Sequence, residues 1–303
     1  MKKNQLGSSD LYVSEIGYGC MSLSERQDEN EYILHEAIDK GINYFDTADL
    51  YNFGMNEVSV GKALKRKRQD VIIASKGGNE WGEGIDGWQW NPSKAHMKEA
   101  VKKSLQRLGT DYLDLYQLHG GTIDDPIDET IEAFEELVKE GLIRYYGISS
   151  IRPNVIQEYV ERSNIVSVMM QYSLLDRRPE EYLPLLERNR ISVIARGPVA
   201  KGLLAEGYTR KVNEKGYLNY NKKELTKTIE DIHTVATEKE MALNEVALRY
   251  VLTQPAVACT VPGASSIEQL EQNIKAILQP PLTAEDIEQL QTITKTTQYK
   301  KHR

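Results

Sequence analysis

The stretch Asn43-Tyr44-Phe45-Asp46-Thr47-Ala48-Asp49-Leu50-Tyr51 reads as a short strand that runs out into a loop, and its polar groups begin where the strand stops. Asp46 then sits at a strand's C-terminal end, with Tyr51 in the loop beyond it. Two later runs finish the same way: Val71-Ile72-Ile73-Ala74-Ser75 at Lys76, and Tyr112-Leu113-Asp114-Leu115-Tyr116-Gln117-Leu118 at His119. An acid, a phenol, an amine and an imidazole thus share one topological address. In a barrel of parallel strands that address is a single mouth.

Such a group has a definite chemistry. A free phenol, with a pKa near ~10, donates protons poorly at neutral pH. A cation beside it favours the phenolate and lowers that pKa. Lys76 supplies the cation, and Asp46 holds the lysine by pairing with it. A neutral His119 can hydrogen-bond a substrate carbonyl and orient it toward Tyr51. The set suits proton delivery to a carbonyl oxygen but contains no electron source, so reduction requires a bound hydride donor such as a nicotinamide cofactor.

The remaining chain repeats one rhythm. Ile16–Cys20 is a strand, and Glu31 to Lys40 carries Ile33, Leu34, Ala37 and Ile38 at helical spacing, with Gly41 as its stop. Met97, Val101, Leu105 and Leu108 form a stripe closed by Gly109; Ile127, Ile131, Phe134, Leu137 and Val138 form one closed by Gly141. Gly141–Ile148, Val166–Met170, Ile191–Ala195 and Ala256–Val261 supply the last four strands. Eight strands alternating with helices predict a single (β/α)8 barrel domain over residues 1–303, with a small N-terminal hairpin around Gly7-Ser8-Ser9-Asp10 plugging the floor.

Two insertions interrupt the rhythm. Gly77 to Asn91 holds all three tryptophans, Trp81, Trp88 and Trp90, among several glycines. Its indoles either wall a substrate pocket above Lys76 or bury the loop against the barrel. Gly202 to Tyr220, rich in Gly, Lys and Tyr, reads as a lid over a cofactor or as a surface loop, ahead of a helix from Lys222 to Lys239. The tail from Leu282 holds one short helix and a basic end.

A net charge of -7 argues against a nucleic-acid surface, and Lys65-Arg66-Lys67-Arg68 reads as the cationic end of a helix. Cys20 and Cys259 lie in apolar strand-like runs rather than at ligand spacing, which fits a reducing cytoplasm. No signal-peptide core and no run of ~18 apolar residues argues for membrane insertion. The five histidines are scattered, and no metal-binding, Gly-x-Ser-x-Gly or P-loop motif occurs, so metalloenzyme and hydrolase readings have no support.

With Asp46, Tyr51, Lys76 and His119 in this order, the chain resembles the aldo-keto reductase superfamily nearly end to end. Gly41-Ile42-Asn43-Tyr44-Phe45-Asp46-Thr47-Ala48-Asp49-Leu50-Tyr51 is close to one of that family's signatures, as is Tyr112 to His119. The resemblance implies reduction of an aldehyde or ketone by a nicotinamide nucleotide, usually NADPH and less often NADH. Tyr51 would be the general acid, Lys76 and Asp46 its tuners, and His119 the carbonyl-orienting group.

It also implies a cofactor path. Gly19, Cys20 and Met21 would pass the nicotinamide ribose near Asp46, and Ser149 and Gln171 would bond the carboxamide. Ser150 stands where the family usually has asparagine. Arg196 stands where an aromatic ring commonly stacks on the nicotinamide, and its fixed charge is expected to disfavour the cationic NADP+ relative to NADPH. The loop Gly197, Pro198, Val199, Lys201 and Gly202 would follow the cofactor. Gly263, Ser265, Ser266 and Gln269 would seat phosphates at a helix N-terminus, with Gln272 and Asn273 at the adenine. Many relatives carry Arg or Lys near Ser265; here Lys201 is the available charge. A rival implied by the same superfamily is a nucleotide-binding regulatory subunit of a membrane channel, with an intact tetrad and little turnover.

Overall fold

Strand runs apolar on both faces must be enclosed on both sides, which in a parallel sheet means helices outside and side chains within. The structure, a computed structural model, describes residues 1–303. The chain opens with an antiparallel hairpin of β1 (Lys3–Gln5) and β2 (Tyr12–Ser14). It continues through β3 (Tyr18–Gly19), α1 (Gln27–Asp39), β4 (Tyr44–Asp46), α2 (Met55–Leu64) and β5 (Ile72–Gly77). A second small hairpin, β6 (Asn79–Glu80) with β7 (Gln89–Trp90), precedes α3 (Lys94–Leu108) and β8 (Leu113–Leu118). Then come α4 (Ile127–Lys139), β9 (Ile143–Ser149), α5 (Pro153–Arg162), β10 (Ser167–Gln171), α6 (Leu183–Arg188) and β11 (Ser192–Arg196). The last segment is α7 (Lys222–Glu238), α8 (Leu243–Leu252), β12 (Val257–Val261), α9 (Ile267–Leu278) and α10 (Ala284–Ile293).

Strands β3, β4, β5, β8, β9, β10, β11 and β12 pair in parallel in chain order. A parallel bridge between Ile16 and Thr260 joins the two edges, with the Gly17 amide donating to the Thr260 carbonyl and the Thr260 amide to that of Glu15, both at 2.9 Å. The fold is therefore the expected (β/α)8 barrel, with its strand C-termini at one mouth. No helix is long and apolar enough to cross a membrane.

Two apolar layers follow from the alternation of side chains along each strand. The larger fills the space between sheet and helices and includes Phe45, Ile73, Leu113, Phe134 and Val193. The smaller fills the barrel, where Tyr44, Ile72, Ala74, Leu115, Met169, Ile194 and Cys259 meet Leu6, Leu11 and Val13 of the hairpin. The hairpin is thus the floor of the barrel. Its turn is fixed by Gly7, at φ +57°, whose amide donates to Ser192 Oγ at 2.7 Å.

Local departures have local causes. Helix α1 begins at Gln27, earlier than Glu31, because Asp28 and Glu29 place acids in its first turn against the positive end of the dipole. Cys20 lies in a single 3-10 turn after β3 rather than in a strand; Cys259 is in β12, and both thiols are buried and unpaired. The Lys65–Arg68 cluster continues past α2 into a 3-10 turn. There Arg68 stacks 4.0 Å from the Tyr112 ring and pairs with buried Asp114 at 2.8 Å, so one of its cations is a structural clamp. The tryptophan-bearing insertion contains an antiparallel hairpin rather than only a loop.

A Cβ at position 7 would stand 2.1 Å from the Val166 carbonyl oxygen, on top of the cost of a left-handed backbone. Gly7→Ala should therefore destabilise the barrel by about 2 kcal/mol or more. Urea denaturation checks this; an unchanged midpoint would remove the hairpin's role as a fixed floor.

Candidate active site

The site is organised by a lysine that the barrel has removed from water. Lys76 is the penultimate residue of β5, a strand buried along its whole length, and is itself 0 % exposed. Its Nζ donates to Asp46 Oδ2 at 2.6 Å, to the Thr47 carbonyl at 2.7 Å and to the Tyr51 hydroxyl at 3.3 Å. Those are the three donors an ammonium has. Burial works against the Lys76 charge, but Asp46 and Tyr51 outweigh it, and the group stays above the ordinary lysine range. Burial also lifts the Asp46 carboxyl, against the pull of Lys76. The 2.6 Å contact fits an ionised pair, since an uncompensated partner of either sign would be costly here.

Tyr51 is delivered by backbone geometry. After β4 the chain turns through Asn52, Phe53 and Gly54 at φ +47°, +45° and +84°. Two non-glycine residues in the left-handed region represent stored strain that the surroundings must hold. The Phe53 ring meets Trp81 edge-on at 5.8 Å, and Trp81 lies 5.4 Å from the Arg107 guanidinium. Trp81 thereby braces the turn that presents Tyr51. The Tyr51 ring faces His119 edge-on with centroids 5.8 Å apart.

His119 follows β8, and its amide donates to the Gly77 carbonyl at 2.7 Å. Burial first, then the charges of Lys76 and Arg196, push the imidazole down to about 3. It is therefore neutral at physiological pH, and its Nδ1 is buried with no protein partner. Four groups distant in sequence converge, with the imidazole and phenol rings edge to face and one imidazole nitrogen buried without a protein partner.

A cavity of about 1270 Å³ runs from Asp46, Tyr51 and His119 across the mouth to the start of α9. Of the sequence-predicted path, Gly19, Met21, Ser149, Ser150, Gln171 and Arg196 line it at the strand ends. Gly197 to Val199, Lys201 and Gly202 line it in the following loop, and Gly263, Ser265, Gln269, Gln272 and Asn273 at its far end. Cys20 is fully buried and does not line the cavity, nor does Ser266, whose hydroxyl caps α9 by accepting from the Gln269 amide. Gln171 accepts from Arg196 Nη1 at 3.3 Å and donates to Asp176 at 3.0 Å and Tyr217 at 3.2 Å, so its amide is oriented by three neighbours.

None of the three tryptophans lines this cavity. Trp90 donates to Asp125 Oδ1 at 2.9 Å, and its ring lies where a Cβ on Gly78 or Gly120 would fall, directly behind the His119 loop. Trp88 is half exposed. Conversely, several lining groups were not marked in the sequence: Arg152, Arg178, Lys211 and Tyr217, together with Tyr299 to His302 of the tail. The basic run Lys300-Lys301-His302-Arg303 in an acidic chain was the available signal for the last of these.

Comparison with known proteins bears on this geometry directly. The model of the aldo/keto reductase family matches residues 15–295. The chain belongs to the aldo/keto reductase family. This aldo-keto reductase chain is 59% identical over 307 residues to the Bacillus subtilis (strain 168) oxidoreductase YqkF, with all of both chains covered. It is 32% identical to the NADH-specific methylglyoxal reductase of Escherichia coli (strain K12), over 91% of this chain and 94% of that one. Among solved structures it resembles the aldo-keto reductase AKR11C1 from Bacillus halodurans. The holo form superposes with a TM-score of 0.95 at 58% identity, covering 100% of this chain and 99% of that one. The apo form gives 0.88 over the same shares at 55% identity, so the conformation here is nearer the holo arrangement. Family members use nicotinamide cofactors, and the chain is an oxidoreductase.

A second buried polar cluster supports the tetrad of this aldo-keto reductase. Glu57, fully buried, accepts from Ser75 Oγ at 2.5 Å and from Arg107 Nε at 2.6 Å. Asp49 is 2 % exposed; its amide donates to the Lys76 carbonyl at 3.1 Å, and its Oδ1 has no partner. Burial, then the charge of Glu57, pushes the Asp49 carboxyl up to about 8. An unfolded aspartate titrates near ~3.9, so between the two values the folded state binds the proton more strongly. The resulting stability is complete below the unfolded value and is lost as pH rises through the folded one. Asp49→Asn, neutral throughout, should flatten the decline of unfolding free energy between about pH 5 and pH 9, as measured by urea titration. An unaltered slope would mean that Asp49 is not a buried neutral acid.

Proposed function

We propose that this chain is an NADP(H)-dependent carbonyl reductase in which Tyr51 protonates the oxygen of an aldehyde or ketone. One observation carries the reading: a fully buried ammonium donates at once to a carboxylate and to the phenol oxygen. The Lys76 charge stabilises the phenolate left when Tyr51 gives up its proton, and Asp46 keeps that charge in place. Neutral His119 donates to the carbonyl oxygen and holds it within reach of Tyr51. The Thr47 carbonyl and the strained turn beyond fix the lysine and the phenol, so little reorganisation accompanies proton transfer.

The residues present fit a dinucleotide. Arg196, Lys201 and Lys211 line the cavity without a carboxylate partner, and Lys211 Nζ donates to the Lys201 carbonyl at 3.4 Å, placing two ammonium-bearing chains on one loop. Ser149, Ser150 and Gln171 would hold the carboxamide end, with Gly19 and Met21 beside it. Ser265, Gln269, Gln272 and Asn273 would hold the adenosine end, where α9 presents its N-terminal amides. When bound, the reduced nicotinamide supplies the hydride that the protein lacks. The loop lysines favour NADPH over NADH, although the Escherichia coli relative is named NADH-specific.

We take residues 1–303 as one domain acting on a small carbonyl compound, with Trp90 shaping the substrate side from behind Gly120. Two unpaired buried thiols fit a reducing cytoplasm. Tyr51→Phe should lower turnover of a panel of aldehydes and ketones about 10²–10⁴-fold, followed by absorbance of the reduced nucleotide, while NADPH binding changes little. Tight NADPH binding with negligible turnover by the unaltered chain across the panel would favour a regulatory nucleotide sensor instead. Arg196→Tyr should shift the NADPH-to-NADP+ affinity ratio toward NADP+, measured by fluorescence titration; an unchanged ratio would defeat the charge argument.

A further inference from the structure

The cations of the cavity fall at separate strand ends around the mouth. Lys201, Lys211 and the start of α9 follow β11 and β12. Gly121 follows β8 and Arg152 follows β9. In the closed ring β8 stands four strands from β12, directly across the barrel. Arg152, just after β9 and three strands from β12, bonds to this β8 end rather than to the proposed phosphate seat at the start of α9. Its side chain is half-buried, it has no carboxylate partner, and its Nη1 donates to the Gly121 carbonyl, two residues beyond His119.

The tail adds to this rim. The His302 carbonyl accepts from the Asn154 amide at 2.8 Å, which ties the tail to the start of α5. Lys300 and Lys301 line the same cavity without an anionic partner. Acids are scarce in the cavity wall: Asp46 is held by Lys76, and Glu206 belongs to the loop after β11. A guanidinium offers five N–H donors in a planar fork matched to carboxylate and phosphate, and one carbonyl occupies only one of them.

We infer that the substrate is an anionic carbonyl compound, its carboxylate or phosphate held by Arg152 with Lys300 and Lys301 while its carbonyl lies between His119 and Tyr51. This rests on the reductase reading and names its substrate class. Hydride adds to the carbonyl carbon, the carbonyl oxygen takes the Tyr51 proton, the reduced nicotinamide is oxidised, and the anionic group is unchanged. Its binding fixes which end of the molecule enters first.

The test is kcat/KM for matched pairs with NADPH: 4-oxobutanoate against its methyl ester, and glyceraldehyde 3-phosphate against glyceraldehyde. The anionic member of at least one pair should be favoured more than about tenfold, and the responding pair distinguishes carboxylate from phosphate. Arg152→Gln should reduce that preference about ten- to a hundredfold, and Arg152→Lys, retaining charge but not the fork, should restore part of it. Equal turnover within both pairs, or a preference that survives Arg152→Gln, overturns the assignment and leaves the reductase reading intact. A parallel loss for charged and neutral members together with weakened NADPH binding also overturns it, by placing Arg152 on the nucleotide. Absence of turnover for all four compounds while other members of the aldehyde and ketone panel are reduced overturns the assignment alone; absence across the whole panel overturns both readings.

Discussion

A charge buried in a protein interior must be matched or removed, and the Lys76–Asp46 pair is where this barrel meets that constraint. Neither group reaches solvent to any useful extent, so the strands bearing them must present their ends at one depth and in one register. The parallel pairing of β4 with β5 does that, aligning Asp46 with Ala74 two positions before Lys76. The Thr47 carbonyl then completes the ammonium's coordination, leaving its third donor for Tyr51. The same desolvation that makes the pair expensive keeps His119 neutral, so one burial event sets the protonation states of several groups.

Charge is distributed unevenly around this core. The chain as a whole is acidic, yet arginine and lysine outnumber acids in the cavity wall, drawn from the end of β9, the turn after β10, the end of β11 with its following loop, and the tail. Overall charge sets long-range behaviour, whereas the local field in a low-dielectric cleft sets what the cleft retains. The hydrogen-bonded frame of Asp176, Gln171, Tyr217 and Arg196 shows how these cations are held without being neutralised, since Arg196 meets an amide oxygen rather than a carboxylate.

Much of this was legible in the sequence because it depends on short-range regularities. Helical stripes closed by Gly109 and Gly141 and apolar runs ending in polar residues identify the barrel, and strand-end chemistry identifies Asp46, Lys76 and His119. What escaped depends on contacts between distant loops. Arg152 gains its place at the cavity through its bond to Gly121, and the tail gains its own through the Asn154 amide, which donates to the His302 carbonyl. The position of Cys20 reflects a tight turn that apolar periodicity does not reveal. The tryptophans showed the limit of composition: Trp81 braces a strained turn and Trp90 fills the space left by two glycines, roles defined by φ angles and partners.

The hairpin that fills the barrel's base has a kinetic corollary. With Leu6 and Leu11 wedged among the interior side chains there is no rear exit, so traffic in both directions uses a single doorway. Whatever enters or leaves the cavity therefore meets the loops at the strand C-termini, and changes in those loops alone can alter its exchange with solvent.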